Sequence, residues 1–262
     1  SASIELLTSV ILKEIFKLDI DMVEMVKLSQ KAENEFIGVN CGIMDQFAIG
    51  MGKKDNAILL DCNTLEYHYA PVELDGASIV IANTNKKRGL ADSKYNERRN
   101  SCEAAVKVLN ENGINIKNLG ELSVEKFNEV KHFITDEEQL KRATHAVTEN
   151  ERTKTAVEKL NSGDVEAFGK LMNQSHISLR DDYEVTGFEL DSLVEAAWEV
   201  KGVIGARMTG AGFGGCTVSI VKDEFIDEFI KSVGEKYKAK TGLTADFYVA
   251  KIGDGSRKLG DF

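Results

Sequence analysis

At 262 residues the chain is long enough for two domains, and its 42% apolar and 29% charged residues describe an ordinary globular protein with a core to bury. Its 33 basic against 43 acidic residues leave a net charge of −10, which argues against a general nucleic-acid or anionic-membrane surface. Four scattered histidines and four separated cysteines without a C-x-x-C pair point to neither zinc nor a disulfide framework and fit a reducing cytoplasm, and no apolar run is long enough to cross a bilayer.

In chain order, residues 3–17 place Ile4, Leu7, Ile11 and Ile15 close to the helical period, predicting a helix with that face buried. Asp21 followed by Glu24 resembles a capping arrangement and starts a second helix that runs to about Phe36. Its stripe of Met22, Met25, Val26 and Ser29 continues into Glu33. A carboxylate that continues an apolar stripe must be paired, protonated or metal-bound if it is buried. The spacing equally allows Glu33 to sit at a solvated helix end. The stretch CGIMDQF at 41–47 then predicts a short turn holding Asp45 between glycine and apolar residues. An aspartate there either accepts a backbone N–H as a turn or cap residue, or presents its carboxylate for chemistry.

Strands are predicted at 57–62, 65–70 and 78–83, with Pro71, the single proline, separating the last two. Helices follow at Ser93–Asn110, stopped by Gly113, and at Asp136–Asn161, with Gly163 as its C-cap, then at 164–179 and 188–200. The remainder reads as strand 203–208, glycine loop 210–215, strand 216–221, helix 223–240 and strand 245–252. Helices after strands, with antiparallel hairpin signals, indicate an α+β layered fold. A boundary near residue 76 divides it into domains 1–76 and 77–262.

The loop from Gly210 to Gly215 has four glycines in six residues, so its N–H groups can turn inward around an anion, or the glycines can simply make a tight hairpin. It matches neither the GxxxxGK[ST] phosphate loop nor a dinucleotide fingerprint. Tyr95, in ADSKYNERR, opens a helix, where it can pack locally or line a sugar pocket, and Arg98 and Arg99 read as a solvated helix face with local salt bridges. His68 reads as a strand-surface residue, His132, His145 and His176 as helix-surface or core residues, and Trp198 as packing. Cys41 reads as a small packing residue, because no cation beside it would lower its pKa.

Taken together, KAENEFIGVNCGIMDQF at 31–47, NTNKKRGLADSKYNERRNSCE at 83–103, MTGAGFGGCTV at 208–218 and FYVAKIGDG at 247–255 resemble the GHMP small-molecule kinases, named for galactose, homoserine, mevalonate and phosphomevalonate. The resemblance is to the galactose branch, and it runs the whole length of the chain. It implies a two-domain GHMP kinase fold of two-layer α/β sandwiches, a ribosomal protein S5 domain 2-like remnant followed by a ferredoxin-like C-terminal domain. It implies ATP-dependent phosphorylation of D-galactose at the C1 hydroxyl to give α-D-galactose 1-phosphate and ADP. Asp45 matches the base facing the anomeric hydroxyl, Gly42 a backbone contact to the sugar, and Tyr95 the sugar-contacting tyrosine. Ser1 and Glu33 match the side chains that hold Mg2+ on the ATP phosphates, and Gly210, Gly212 and Gly214 lie in the matching glycine loop. The partners implied are D-galactose and MgATP, for a cytoplasmic monomer that binds neither nucleic acid nor membrane.

The chain departs from that pattern at its start. The family's first motif and its adenine-binding region are absent, and the glycine-serine ATP loop is represented by Ser1-Ala2-Ser3. Residues 1–76 are therefore expected to be the remainder of an N-terminal ATP-binding domain, the chain by itself is expected not to turn over ATP, and an apolar sheet edge is expected to be exposed. A kinase for N-acetylgalactosamine or another sugar, and a non-catalytic sensor of galactose and ATP, are the alternative readings. The unaltered CGIMDQ and Tyr95 favour the enzyme over the sensor.

Overall fold

The computed structural model describes residues 1–38, 41–86 and 91–260, with the side chains of 91–93 and 95 outside that description. The chain forms two compact units, one of Ser1–Val72 with Lys251–Phe262, the other of Glu73–Ala250.

The first unit holds helices α1 (Ala2–Phe16), α2 (Met22–Lys31) and α3 (Met44–Met51) and the antiparallel strands β1 (Asn56–Leu60) and β2 (Tyr67–Pro71). Leu6 and Val10 of α1, Met25 and Val26 of α2, and Ile43 and Phe47 around the start of α3 make its core. Asp21 caps α2 as its spacing predicts, accepting the N–H of Glu24 at 2.8 Å. Helix α1 corrects the sequence reading. The stripe expected to be buried is exposed, with Ile4 at 64%, Leu7 at 47%, Ile11 at 47% and Ile15 at 65%, while Leu6 and Val10 face the core. Apolar residues occupy both sides of this helix, so periodicity alone could not say which side packs.

In the second unit β3 (Ala77–Asn83), β4 (Val203–Thr209), β5 (Cys216–Lys222) and β6 (Asp246–Ala250) form one antiparallel sheet in the order β4-β5-β3-β6. Between β3 and β4 run α4 (Ala91–Glu111), α5 (Val124–Val130), α6 (Glu137–Asn161), α7 (Val165–Asp181) and α8 (Gly187–Trp198), and α9 (Ile226–Thr241) joins β5 to β6. This is a ferredoxin-like strand order with its first crossover expanded to five helices among the described residues. The short α5 carries too little periodicity to be read from sequence, and its N-cap Ser123, accepting the N–H of Lys126, was its one local signal.

Leu193, Val194 and Ala197 of α8 and Phe229, Val233 and Tyr237 of α9 pack on Val80, Ala82, Ala206 and Val221 of the sheet. A second core joins Ala105 and Leu109 of α4, Phe127 and Val130 of α5, and Ala143 and Val147 of α6. Helix α7 lies against β4 so closely that a Cβ on Gly169 would overlap the backbone carbonyl of Ile204. At that point the helix requires a residue without a side chain.

Candidate functional site

In the first unit the site is built where α2 ends. The last turn of α2 widens into a π-helical turn, Ala32–Ile37, a local irregularity that is frequent at functional sites. It turns Glu33 inward, in line with Met25 and Ser29, and the residue is only 8% exposed. Of the two positions its spacing allowed, the structure takes the buried one. Glu33 accepts hydrogen bonds from Glu5 of α1 and from Ser1, which hold its carboxyl below the usual range. Burial, and then the contact with Glu33, push Glu5 up, so a shared proton belongs to Glu5. The structure thus brings Ser1 and Glu33 together and adds Glu5, which the sequence reading did not single out; it lies one helical turn after Ser1. Gln46 of α3 lies beside Glu5, and both Glu5 Oε2 and Gln46 Oε1 are buried without a hydrogen-bond partner among the described residues. Oxygen donors of this kind suit a hard divalent cation.

The same π turn fixes the approach to α3. Asn34 Oδ1 accepts the N–H of Cys41 at 3.1 Å and its thiol at 3.3 Å, while Gln30 Nε2 donates to the Cys41 carbonyl at 3.2 Å. Burial, and then the charge of Glu33, push the Cys41 thiol up, which keeps it protonated and fits its reading as packing. Gly42 follows, exposed, and Ile43 is the α3 N-cap without a side-chain cap. CGIMDQF is therefore not only a turn: from Met44 it is the first turn of α3. Asp45 caps nothing. Its carboxylate stands exposed at the helix N-terminus, without a hydrogen bond or ion pair among the described residues, while its neighbours Gln46 and Phe47 are buried.

In the second unit Tyr95 lies in the first turns of α4, and its side chain is outside the described residues. One turn on, Arg98 departs from its reading as a solvated residue. Its side chain is 11% exposed, and its Nε donates to the Tyr183 carbonyl at 2.7 Å and its Nη2 to the Glu184 carbonyl at 3.2 Å. Arg99 does lie on the exposed face, paired with Glu103. The loop 210–215 is tied within its span and at its last residue. Phe213, itself in the left-handed region at φ 58°, donates its N–H to the Val185 carbonyl at 2.8 Å, and the Gly215 carbonyl accepts from the backbone and hydroxyl of Thr84. A Cβ on Gly212 would overlap that Val185 carbonyl, so glycine at this point is a packing requirement.

His68 and His132 are exposed, whereas His145 and His176 are buried. Trp198 packs beside His176 and donates to Asn173. Among the described residues no helix is long and apolar enough to cross a membrane.

Residues 1–53 match the family described as GHMP kinases N terminal domain, and residues 156–239 match GHMP kinases C terminal. A galactokinase of Fusobacterium nucleatum is 75% identical over 259 residues, covering 99% of this chain and 67% of that protein. The chain belongs to the galactokinases of the GHMP kinase family. A second galactokinase, from Clostridium acetobutylicum, is 65% identical over 99% of the chain and 66% of its own length, so the chain spans about two thirds of these relatives. The Lactococcus lactis galactokinase solved in complex with galactose superposes with a TM-score of 0.95 at 53% identity, over 99% of this chain and 66% of that one. Mevalonate kinase of L. major, at 19% identity and a TM-score of 0.59, shares the fold alone.

Proposed function

We propose that this chain carries the base, the metal-holding carboxylate and the glycine loop of an ATP-dependent kinase that phosphorylates D-galactose at C1, giving α-D-galactose 1-phosphate and ADP. The observation that carries the reading is Asp45, an exposed carboxylate without a partner among the described residues, on a helix whose following residues are anchored in the core. A rigidly mounted acid with nothing to neutralise it is what a proton acceptor requires. As the C1 oxygen attacks the γ-phosphorus and the bond to the ADP oxygen breaks, the C1 hydroxyl proton passes to the Asp45 carboxylate. Little further covalent help is needed, since phosphoryl transfer depends mostly on alignment and on charge neutralisation.

Gly42 and Tyr95 are assigned to the sugar, and Gly210, Gly212 and Gly214 to backbone contacts with phosphate. Ser1 and Glu33 would hold Mg2+, which when bound neutralises charge on the phosphate oxygens. The buried oxygens of Glu5 and Gln46 beside Glu33 support that assignment. Residues 1–76 are assigned to the ATP-binding domain and 77–262 to the C-terminal domain of a cytoplasmic monomer working on D-galactose and MgATP, with neither nucleic acid nor membrane as partner.

The product tests the reading. In 31P NMR, a polypeptide of the relatives' full length that carries this chain is expected to convert D-galactose and MgATP to the α-1-phosphate. Preference for N-acetylgalactosamine, or sugar binding with no phosphorylated product, would contradict it.

A further inference from the structure

We propose that Arg98 is a positioning residue for the glycine loop, holding it through the segment that leaves α7; the inference rests on the loop's proposed contact with phosphate. Segment 182–185 needs holding. It follows the C-terminus of a helix, where carbonyls lack intrahelical partners, and Glu184 lies in the left-handed region at φ 53°, which a residue with a side chain adopts only under constraint.

Two arginines supply the constraint. Arg142, buried in α6, donates to the Asp182 carbonyl at 2.6 Å and to the Glu184 carboxylate at 2.7 Å. Arg98, from α4, bridges the next two carbonyls, those of Tyr183 and Glu184. The residue that follows, Val185, presents the carbonyl that receives the Phe213 N–H and against which Gly212 packs. Phe213 in turn rests on the small core of Leu179, Val185, Leu190 and Met208. The guanidinium on α4 is thus two hydrogen-bonded steps from the loop, and it sits one turn beyond Tyr95 on the same helix. The fork matters as well as the charge, because two successive carbonyls are bridged by one planar group, and a lysine ammonium reaching for both has no such geometry.

Without this bridge, Val185 is no longer fixed opposite Phe213, and the loop must be ordered by its ligand at the expense of affinity. Arg142 still holds the end of α7, so the helical core stays intact.

Amide hydrogen exchange on the purified chain tests this without turnover. In Arg98→Met the Phe213 amide is expected to exchange about tenfold faster, the change that one lost hydrogen bond produces, while amides of α6 and α9 keep their protection. Arg98→Lys, which keeps the charge and is the milder change should the first variant fail to fold, is expected to exchange like Arg98→Met. In a polypeptide of the relatives' full length, both variants should raise KM for MgATP roughly tenfold, with a smaller change in kcat. Wild-type protection of Phe213 in either variant, or full rescue by lysine, overturns the proposal. Absence of galactose phosphorylation by the wild type would instead overturn the functional reading and leave the exchange result standing.

Discussion

Asp45 and His145 show how differently two ionisable residues can be placed. Asp45 is exposed at a helix start, where its charge is solvated and available. His145 lies inside, stacked on Tyr183, and burial holds it well below its ordinary 6.5, to about 4, with Arg152 and Arg207 adding to the effect against Glu149 and Asp182. Ser178 donates its hydroxyl proton to Asp182, so it must accept from His145 Nδ1, which fixes the neutral tautomer. The sign follows. Between these two pKa values the unfolded chain binds the proton and the folded chain does not, so stability is full above about 6.5 and is lost as pH falls towards about 4. Urea titrations between pH 7 and 4.5 should lose up to about 3 kcal/mol through this group. His145→Asn, which keeps a donor near Nδ1, should flatten that slope; an unchanged slope would contradict the burial argument. From sequence alone His145 could be read only as surface or core, and Arg98 was misread, because spacing gives a residue's face but not what packs on that face.

At the scale of elements, the tightest fit is that of α7 to β4. A Cβ on Gly169 would overlap the Ile204 carbonyl and one on Gly205 would overlap the backbone of Gly169, and β4 carries a register irregularity between Val203 and Gly205. Glycine to alanine within a helix ordinarily stabilises by roughly 0.5–1 kcal/mol. Here Gly169→Ala is expected to destabilise by about 1–3 kcal/mol, as overpacking does, measured as a lower thermal midpoint. A raised midpoint would show that the helix moves away freely. Regular helices and strands were legible because caps and periodicity are local, as at Asp21, Asp136 and Asp164, each of which accepts a first-turn N–H. The π turn and the helical start at Met44 were not legible. Both depend on tertiary partners, Glu5 for the first and the α1–α2 core for the second.

For the molecule as a whole, the layered α+β class was legible in the alternation of helical and strand patterns, the ferredoxin-like strand order only through the family resemblance, and the exposed face of α1 in neither. Exposed apolar residues are concentrated on α1, at Ile4, Leu7, Ile11, Leu12, Ile15 and Phe16, and Tyr248 and Val249 are exposed on the edge strand β6. A contiguous face of that kind promotes association. Sedimentation of the chain at rising concentration should show species above 28.9 kDa, and Ile11→Glu with Ile15→Lys should restore that mass without touching Leu6 or Val10. Association unchanged in the double variant would move the contact elsewhere.

Asp45 is the residue proposed to accept the proton in phosphorylation of galactose. The direct measurement is coupled ADP release with D-galactose and MgATP, by a polypeptide of the relatives' full length carrying this chain and by its Asp45→Asn variant. Turnover is expected to fall by about 10²-fold or more in the variant, the scale of losing a general base, with the thermal midpoint little changed because Asp45 makes no hydrogen bond or ion pair among the described residues. Equal turnover by both proteins would contradict it.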